Sequence, residues 1–387
     1  MKQHVTGKEH DFFAIVQPGF EDTAQRELAG LGITAFGDPV EGGIAFRTRL
    51  DGCFRVNLCS RTVSRVIMRL CRFRAERFNS LRSHAADFPW ELHVKNGTAL
   101  NFEVTAIKSR LYHKEGIERE FRKGIASRLG DFGIEAGSGH VAGEGRVQKI
   151  FVRFDDNICQ VSLDTSGELL YRRGIKTGTA AAPMRETLAA SILLEAGLPG
   201  YDLLIDPMCG SGTFSIEALG ILLKKPPGSG RDFAFMNWPS YRPRSFDHMK
   251  KKLDEAGGDG AGKKILVLAS DISPENMEIA EGNLARSGTA VHAETAVRDF
   301  FRDMVPVPPR QKALIVLNPP YGGRLKGINL NTLYRKIGET IRNAYPASGY
   351  AVISPSLEYE KIMSLSYDKK ILFRNGGIKV AVIIKYV

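Results

Sequence analysis

The stretch "LLIDPMCGSGTFSIEAL", residues 203–219, decides the fold class of this chain. An apolar run ends at Asp206, a Gly-Ser-Gly turn follows, and a helix is predicted to begin at Thr213. Gly210 and Gly212 allow the backbone to turn tightly and to come close to a ligand. The free N–H groups at the start of a helix point to the same place. An acid at a strand end, a G-x-G turn and a helix start therefore predict a ligand-binding loop in an α/β sheet.

The next acid at a strand end argues against the usual dinucleotide site. Asp271 lies 65 residues after Asp206, whereas a dinucleotide-binding fold has its second acid roughly 20 residues beyond the glycine motif. The loop also lacks the third glycine of that motif, because position 215 is serine. Asp271 is instead predicted to take a ribose hydroxyl pair. Cys209, inside the loop, is interpreted as a packing residue rather than a nucleophile.

The length between these two acids indicates an insertion at about residues 224–262. The insertion contains two aromatic residues and two arginines, namely Trp238, Tyr241, Arg242 and Arg244. Arginine beside exposed aromatic rings suits single-stranded RNA. The alternative is an aromatic pair that covers the edge of the sheet, and the sequence leaves both interpretations open.

Strands and helices alternate over the second half of the chain, which is typical of a parallel α/β sheet. The predicted strands are 202–206, 264–270, 290–294, 313–317 and 350–354. The predicted helices are 183–196, 213–224, 274–287 and 329–344. The chain closes with two apolar runs joined at Asn375-Gly376, which is a strong hairpin signal. A doubly wound sheet that ends in an antiparallel hairpin predicts the class I, Rossmann-like methyltransferase fold.

The stretch "VLNPPYGGR", residues 316–324, places an amide, two prolines and a phenol where the fourth of these strands ends. Proline ends a strand abruptly because it cannot donate a ladder hydrogen bond. Ligands of a parallel α/β sheet lie beyond the carboxyl ends of its strands. Asn318 is therefore expected to face the same crevice as Asp206 and Asp271.

The Asn-Pro-Pro-Tyr motif suits methylation of an exocyclic base amine. Such an amine is a poor nucleophile, because its lone pair is delocalised into the ring, and two hydrogen-bond acceptors would aim that lone pair at a methyl group. The acceptors would be the Asn318 side-chain oxygen and the Pro319 carbonyl, which Pro320 keeps rigid. Tyr321 would stack on the extruded base, and the two glycines after it would leave room for the nucleotide. Direct displacement on a sulfonium methyl needs orientation and no metal.

Two further features narrow the chemistry. Methylation of a pyrimidine carbon needs a cysteine nucleophile, usually after proline, and no Pro-Cys pair occurs in the chain. A third acid, Asp299, precedes Phe300 and Phe301, and an acceptor beside an apolar wall suits an adenine ring. Ordinary capping of the loop by Asp299 is the alternative.

The positive charge of the chain favours a polyanionic partner. The formal net charge is +11, and residues 60–130 contain fifteen Lys plus Arg against seven Asp plus Glu. Arginine grips phosphate with two N–H groups and stacks on bases, which favours a nucleic-acid surface over an inert basic one. The residues predicted to bind RNA are Arg69, Arg72, Arg74, Arg77, Lys108 and Arg110.

The first 170 residues are predicted to form a small α+β region without a catalytic constellation. The five cysteines of the chain are sparse and lack zinc-type spacing, so neither a disulfide framework nor a metal site is expected. No apolar run approaches the length needed to cross a bilayer, and the N-terminus lacks a signal-peptide core. A cytoplasmic protein without a membrane partner is therefore expected.

Four segments, in this order, resemble the bacterial 23S rRNA (guanine-N2)-methyltransferases of the RlmL type and their YpsC-like relatives. They are "YRRGIKTGTAAAPMRETLAASIL", "DPMCGSGTFSIEA", "FAFMNWPS" and "NPPYGGRL". The resemblance extends from about Phe12 to Val387. It implies four regions: a ferredoxin-like segment at residues 1–65, a THUMP RNA-binding domain at 66–168, a linker at 169–182 and a class I methyltransferase domain at 183–387.

The resemblance also implies S-adenosylmethionine as cofactor and the exocyclic N2 amine of a guanine in large-subunit rRNA as target. The methionine part would lie along Asp206, Pro207, Met208, Cys209, Gly210, Ser211, Gly212 and Thr213. The ribose and adenine would lie against Asp271, Ile272, Asp299 and Phe300. The target base would lie against Asn318, Pro319, Pro320 and Tyr321, with Asn318 also at the cofactor. Alternatives are an N6-adenine methyltransferase acting on RNA or DNA, and a binding protein with an inactive methyltransferase domain.

Overall fold

The computed structural model describes residues 5–130, 147–176, 184–257, 266–321 and 329–387. The described chain falls into two compact units, and each includes a short segment from the sequence range of the other. The first unit comprises the described parts of Met1–Ile15, Leu28–Leu170 and Arg231–Lys250. The second comprises the described parts of Val16–Glu27, Tyr171–Gly230 and Lys251–Val387.

The first unit is built on one seven-stranded sheet. Its strands are β1 His10–Ile15, β2 Ala35–Phe36, β3 Gly43–Thr48, β4 Arg65–Arg74, β5 Ala99–Ile107, β6 Val147–Asp155 and β7 Ile158–Asp164. The helices of this part of the chain are α1 Glu21–Gly30, α2 Leu50–Cys59, α3 Phe78–Asp87 and α4 Lys114–Leu129, and α1 begins in the second unit. The strand order is β2-β3-β1-β4-β7-β6-β5, and only β5 and β6 pair in parallel.

Strand β4 connects the two parts of this sheet. It pairs antiparallel with β1 on one side and with β7 on the other. The predicted boundary between residues 65 and 66 lies at the first residues of β4, where the sheet continues without a break. Apart from Val16–Glu27, the structure therefore groups the described residues of the expected ferredoxin-like and THUMP regions into one compact unit.

Two arginines of the basic stretch are interior residues. Arg65 donates to the Asp164 carboxylate and, at 2.9 Å, to the Gly167 carbonyl oxygen, and its exposed fraction is 8 %. Arg61 is buried to the same extent. Burial raises the pKa of Asp164, while the neighbouring Arg65 opposes that shift. The charge count of the sequence therefore overstates the basic surface of this region.

The predicted insertion contributes packing to the first unit. Phe235 stacks on Phe54 with ring centroids 4.1 Å apart. Trp238 is buried, and its indole N–H donates to the Gln148 side-chain oxygen at 2.9 Å. Of the two interpretations that the sequence leaves open, an exposed ring for RNA is therefore wrong for Trp238, because the ring is buried. Tyr241 is half-buried and packs near Phe54 and Phe235.

The second unit contains the predicted parallel sheet. Its strands are β8 Leu203–Asp206, β9 Leu266–Asp271, β10 Ala293–Val297, β11 Ala313–Leu317, β12 Gly349–Ser354, β13 Lys369–Asn375 and β14 Ile378–Lys385. The helices are α5 Glu186–Glu195, α6 Thr213–Leu222, α7 Pro243–Gly257, α8 Pro274–Ser287, α9 Leu330–Ala344 and α10 Leu357–Met363, and α7 begins in the first unit. The order β10-β9-β8-β11-β12-β14-β13 is parallel up to β12 and antiparallel from there to β13. This order confirms the predicted Rossmann-like sheet with a C-terminal hairpin.

The predicted elements agree with the observed ones to within a few residues, with one displacement. A strand is predicted at 290–294, but Ala290–His292 form a 3-10 turn and β10 begins at Ala293. Helix α8 ends at Ser287, Gly288 follows in the left-handed conformation, and the 3-10 turn lies between this cap and the sheet. Residues 177–182 of the predicted linker lie outside the described residues. Across the described ranges, no helix has the length and apolar character needed to span a bilayer.

A buried carboxylate holds α1 within the second unit. Glu195, at the end of α5, accepts hydrogen bonds from Thr23, Arg26 and Lys369. Burial alone would raise the pKa of Glu195, but the hydrogen bonds and charges of these partners lower it below its usual value. The first part of α1, the end of α5 and the start of β13 are therefore joined through one side chain.

A steric prediction follows from the crossing of α9 and α10. A Cβ atom added at Gly338 in α9 would lie 2.0 Å from the Met363 carbonyl oxygen. Gly338→Ala should therefore destabilise the protein by roughly 1–3 kcal/mol, as overpacking does elsewhere. Gly30→Ala is the matched control, because a Cβ there meets no atom within 4 Å. Thermal denaturation compares the two, and an equal Tm for both variants would contradict the crossing geometry.

Candidate active site

A cleft of about 580 Å³ lies at the carboxyl ends of β8, β9 and β11. This volume is typical of a small-molecule site. The predicted site residues that line it are Pro207, Met208, Cys209, Gly210, Ser211, Thr213, Asp271, Ile272, Asp299, Phe300, Asn318, Pro319, Pro320 and Tyr321. The structure thus brings together the loop after β8, the loop after β9, the segment after β10 and the Asn-Pro-Pro-Tyr motif.

The glycine loop has the backbone geometry that its sequence predicts. Gly210 and Gly212 have φ values of 55° and 78°, in the left-handed region that favours glycine. A Cβ at Gly212 would lie 3.4 Å from the Cβ of Ala280, so this residue also permits close packing of α8. A Cβ at Gly210 would meet no atom within 4 Å, because that side of the loop is open. Thr213 begins α6, whose free N–H groups face this loop.

Asp206 is a buried acid at the end of β8. Its carboxylate accepts a hydrogen bond from the Ser215 hydroxyl at 2.7 Å. Burial raises the pKa of Asp206 to about 7, against the opposing effect of the Ser215 hydrogen bonds. The hydrogen bonds from Ser215 therefore offset only part of the cost of burying the Asp206 carboxylate. Asp206 lies beneath the loop and does not itself line the cleft.

Asp271, at the end of β9, is held by three donors. Its oxygens accept from the Gly210 N–H at 2.9 Å, the Ser273 N–H at 3.0 Å and the Asn276 side-chain amide at 3.1 Å. A carboxylate offers about four lone-pair sites, so one acceptor position is left for a hydroxyl of a ligand. The bond to Gly210 also connects the second acid directly to the glycine loop.

Asp299 caps its loop and also lines the cleft. Its carboxylate accepts from the Phe301 N–H at 2.9 Å, which is the capping interaction expected as the alternative. Asp299 also lines the cleft together with Phe300 and Ile272. Phe300 is buried against Tyr345, whereas the Ile272 side chain is 68 % exposed beside the cleft. These residues form an acid-edged, apolar recess, and contact with an adenine ring stays a prediction.

Asn318 carries the most informative polar atom of the cleft. Its side-chain oxygen, Oδ1, is buried and has no hydrogen-bond partner in the described part of the chain. A buried polar atom without a partner costs roughly 1–3 kcal/mol, so native structures rarely keep one without a use. The next residue, Pro319, has no N–H to offer this oxygen. The two glycines after Tyr321 lie outside the described residues.

Tyr321 is less accessible than the sequence suggests. Its exposed fraction is 9 %, and its hydroxyl accepts a hydrogen bond at 2.6 Å from the side-chain amide of Asn375. Asn375 also lines the cleft and is recognisable in the sequence only as part of a hairpin turn. Only the long-range contact, across 54 residues, identifies it as part of the site.

Two basic residues near the glycine loop were also missed by sequence reasoning. Lys176 donates to the Thr213 hydroxyl at 2.7 Å and pairs with Glu186 at 2.9 Å. Arg173 forms a buried ion pair with Glu217 of α6 at 3.3 Å. Both lie in the stretch interpreted as linker, where the basic run "YRRGIK" is the only sequence signal that could have identified them.

Cys209 packs as expected. Its sulfur lies 3.6 Å from the Met277 sulfur in a small buried cluster with Ala269 and Ala280. Burial, followed by the nearby Asp206 and Asp271 charges, raises the pKa of the Cys209 thiol. A protonated, packed thiol is a poor nucleophile, which supports the packing interpretation.

The predicted RNA-binding residues divide into exposed and half-buried groups within the first unit. Arg72, Arg74 and Arg77 are exposed at the end of β4 and just beyond it. Arg69 is half-buried, with its guanidinium 4.6 Å from the centroid of the Phe13 ring. Arg69 also donates to the Ser162 hydroxyl at 3.3 Å. RNA contact is therefore better assigned to the exposed group, and for all of them it stays a prediction.

The loop that follows β5 lies beside these exposed arginines. Arg110 and Arg74 both pair with Glu76, each at 2.7 Å. Lys108 is exposed and has a left-handed φ of 46°. The Asn157 turn orders the loop, because its side-chain oxygen accepts from the Arg110 N–H at 2.8 Å. Two structured segments thus present their cations on one surface of the unit.

Comparison with known families matches the second half of the chain and an N-terminal segment. Residues 173–383, which are 211 of the 387, match the family model of the RMKL-like methyltransferase domain. Residues 11–67 match the RlmL ferredoxin-like domain.

Individual relatives give the same result. The ribosomal RNA large subunit methyltransferase K/L of Methylococcus capsulatus is 29 % identical over 377 residues, which are 95 % of this chain and 50 % of that protein. The protein of the same name from Syntrophotalea carbinolica is 29 % identical over 376 residues, 95 % of this chain and 52 % of that protein. The chain thus spans about half the length of the curated relatives it matches. The crystal structure of SMU.472 complexed with SAH has a TM-score of 0.85 at 26 % identity and covers 98 % of both chains.

The raised pKa of Asp206 predicts a pH-dependent stability. Its folded-state pKa of about 7 lies above its unfolded value of about 4, so the folded state binds the proton more tightly. Stability is therefore lost as pH rises from about 4 to about 7. Asp206→Asn should be more stable than the wild type above pH 7, by up to roughly 4 kcal/mol, and equally stable near pH 4.

Denaturation of the ligand-free protein across this pH range measures the difference. Asp247→Asn, at an exposed position, controls for the loss of one surface charge. A stability difference between Asp206→Asn and wild type that does not change with pH would show that burial of the carboxylate has no such cost.

Proposed function

The chain belongs to the RMKL-like methyltransferase family, and we propose that it transfers a methyl group from S-adenosylmethionine to the exocyclic N2 amine of a guanine in large-subunit rRNA. The observation that carries this proposal is the buried Asn318 oxygen in the cleft beside the glycine loop, which has no hydrogen-bond partner among the described residues. It is the acceptor that an amine donor would satisfy. The proposal requires a cofactor in the same cleft, a base beside Asn318, and an RNA surface elsewhere on the chain.

The residues of the cleft fit S-adenosylmethionine. Gly210 leaves an open side of the loop, and Asp271 keeps one acceptor position for a ribose hydroxyl. The apolar recess of Ile272 and Phe300 suits a flat ring. The neighbour SMU.472, which shares this fold over 98 % of its chain, is complexed with SAH. When bound, S-adenosylmethionine supplies an electrophilic methyl group on a sulfonium.

The chain contributes orientation rather than acid–base chemistry. Asp271, fixed by three donors, would hold the ribose, and the loop from Asp206 to Thr213 would hold the methionine part. Positioning of this kind lowers the barrier by removing translational and rotational freedom before the reaction. The carboxylates and the amide converge on one edge of the sheet, so the same rigid element would position both reactants.

Asn318 would activate the amine. Its Oδ1 accepts one N–H bond of the base amine, and the Pro319 carbonyl accepts the other, so that the nitrogen lone pair points away from the ring. As the new N–C bond forms and the S–C bond breaks, positive charge develops on nitrogen, which strengthens both hydrogen bonds. The amide cannot itself remove the proton at neutral pH, so the proton leaves to water after transfer.

The substrate assignment is supported by the relatives and by the first unit. The curated relatives are named ribosomal RNA large subunit methyltransferase K/L. The exposed cations at Arg72, Arg77 and Lys108 offer phosphate contacts on an ordered surface. Guanine N2, as the target within rRNA, follows the resemblance to the RlmL type.

The role of Asn318 gives the central test of the proposal. Asn318→Ala should lower the single-turnover rate of methyl transfer by roughly 100-fold or more, because one positioned hydrogen-bonding group is removed from the transition state. Asn318→Asp keeps an acceptor oxygen and should retain a larger share of the rate. Radiolabelled transfer to unmodified large-subunit rRNA, followed by nucleoside analysis, measures both, and calorimetry with S-adenosylmethionine should show unchanged affinity.

Each outcome of this assay bears on a different part of the proposal. Label in N2-methylguanosine supports the assignment, whereas label in N6-methyladenosine would overturn the base but keep the site. Full activity of Asn318→Ala would refute the role of the amide.

The basic surface predicts a salt-dependent affinity for RNA. Arg72→Gln with Arg77→Gln should weaken binding and reduce the slope of log affinity against log salt by up to about 0.7 for each single-strand phosphate that is no longer neutralised. Lys251→Gln with Lys252→Gln removes the same charge from exposed positions of α7 and serves as control. Filter binding of large-subunit rRNA from 50 to 300 mM salt, a range of about sixfold, measures the slopes. Equal slopes for both pairs would show that RNA does not bind at the β4 end.

A further inference from the structure

We propose that Asn375 is a positioning residue for Tyr321, and that the C-terminal hairpin fixes the wall of the pocket that receives the target base. This inference rests on the proposed function. Its starting point is the 2.6 Å hydrogen bond from the Asn375 side-chain amide to the Tyr321 hydroxyl. Both residues line the same cleft, yet they lie on elements far apart in the sequence.

The tip of the hairpin has a defined geometry. Asn375 is the last residue of β13 and pairs with Ile378, the first residue of β14. Gly376 and Gly377 between them have φ values of 57° and 85°, which only glycine adopts readily. Two successive left-handed residues form the kind of tight turn that matches the twist of the strands. The position of the Asn375 side chain is therefore set by the turn and not by a flexible loop.

The tip end of β13 is braced by Gln17, Gly19 and Phe20, which belong to the Val16–Glu27 segment of the second unit. The Gln17 side-chain amide donates to the Arg374 carbonyl oxygen at 3.2 Å. A Cβ at Gly19 would lie 2.6 Å from the Leu372 carbonyl oxygen, so the two backbones are in close contact. Phe20, which is fully buried, packs edge to face on Phe373 with centroids 5.6 Å apart.

The hydrogen bond has a specific consequence for base binding. A tyrosine ring that must stack on a base loses rotamer freedom when the base arrives, unless the ring is already fixed. The Tyr321 ring is buried in the apolar cluster that includes Phe20 and Phe373, and its hydroxyl is anchored by Asn375. Asn375 thus pre-orders the ring for stacking without contacting the reacting atoms. Tyr321→Phe keeps the ring but loses this anchor, so it should behave like Asn375→Ala.

The first measurement follows methyl transfer to unmodified large-subunit rRNA. Asn375→Ala and Tyr321→Phe should each raise KM for the RNA by roughly 3- to 10-fold, the worth of one hydrogen bond, with a smaller change in kcat. The double variant should be no worse than either single variant, since both remove the same bond. Asn375→Asp should keep KM closer to the wild-type value, because its carboxylate accepts a hydrogen bond from the tyrosine hydroxyl. Lys379→Ala, exposed on the same hairpin, is the control.

The second measurement needs no RNA. Hydrogen exchange of the free protein should be faster at the Tyr321 amide in Asn375→Ala and in Tyr321→Phe, and unchanged in Lys379→Ala. Affinity for S-adenosylmethionine, measured by calorimetry, should stay the same in all variants.

The outcomes separate this inference from the proposed function. Additive losses in the double variant, or an Asn375→Ala protein with unchanged or lower KM, would overturn the positioning role. If the wild type transfers no methyl group to rRNA, the proposed function is refuted. The positioning of Tyr321 by Asn375 is then tested by hydrogen exchange alone. In that case, unaltered exchange at Tyr321 in Asn375→Ala would refute the anchor.

Discussion

The parallel pairing of β9, β8 and β11 is the constraint on which the candidate site depends. Hydrogen bonding places Leu203 beside Leu266 on one side and beside Ala313 on the other, so the three strands end at one edge. Two acids and an amide, Asp206, Asp271 and Asn318, thereby meet although more than a hundred residues separate the first from the last. A shift of one residue in either pairing would turn every side chain of the shifted strand to the opposite face of the sheet. The site is therefore a property of the sheet register first and of the loops second.

The three polar residues differ in how far the protein itself satisfies them. Asp271 accepts three hydrogen bonds and is fixed, whereas Asp206 has one hydroxyl partner and a pKa raised to about 7 by burial. The Asn318 oxygen has no partner in the described chain. Unsatisfied groups lower stability, but an acceptor that is already desolvated and oriented costs no reorganisation when a donor arrives. The degree to which the protein satisfies each group thus differs among the three residues, and it fits their proposed roles as a supporting acid, a ribose-binding acid and the amide that accepts from the base amine.

The sequence predicts what depends on local pattern and fails where partners are distant. The apolar run at 313–317 places β11 to the residue, and the G-x-G turn and the Asn-Gly turn place the start of α6 and the C-terminal hairpin, because these signals are contained in short windows. The count of arginines wrongly includes Arg65 in the basic surface. Its partner Asp164 is 99 residues away, and a run of charges does not show which side chains point into the protein. The interpretation of Trp238 as an exposed ring fails for the same reason, because Gln148, the partner of its indole N–H, is distant in the sequence. Asn375 has no signal beyond its turn, because its function arises only from the fold of the hairpin.

The interleaving of the two units explains why sequence-based boundaries and compact units differ. The ferredoxin-like match covers residues 11–67, yet Val16–Glu27 belongs to the second unit. The physical cause is Glu195, a carboxylate that is nearly inaccessible and therefore needs several donors. Thr23 and Arg26 supply two of them, and Lys369 at the start of β13 supplies another. The same short segment then continues through Gln17 and Phe20 to the other end of β13. Both ends of the strand that carries Asn375 are thus fixed by residues from the beginning of the chain, and the geometry at Tyr321 depends on a segment that similarity alone assigns to another domain.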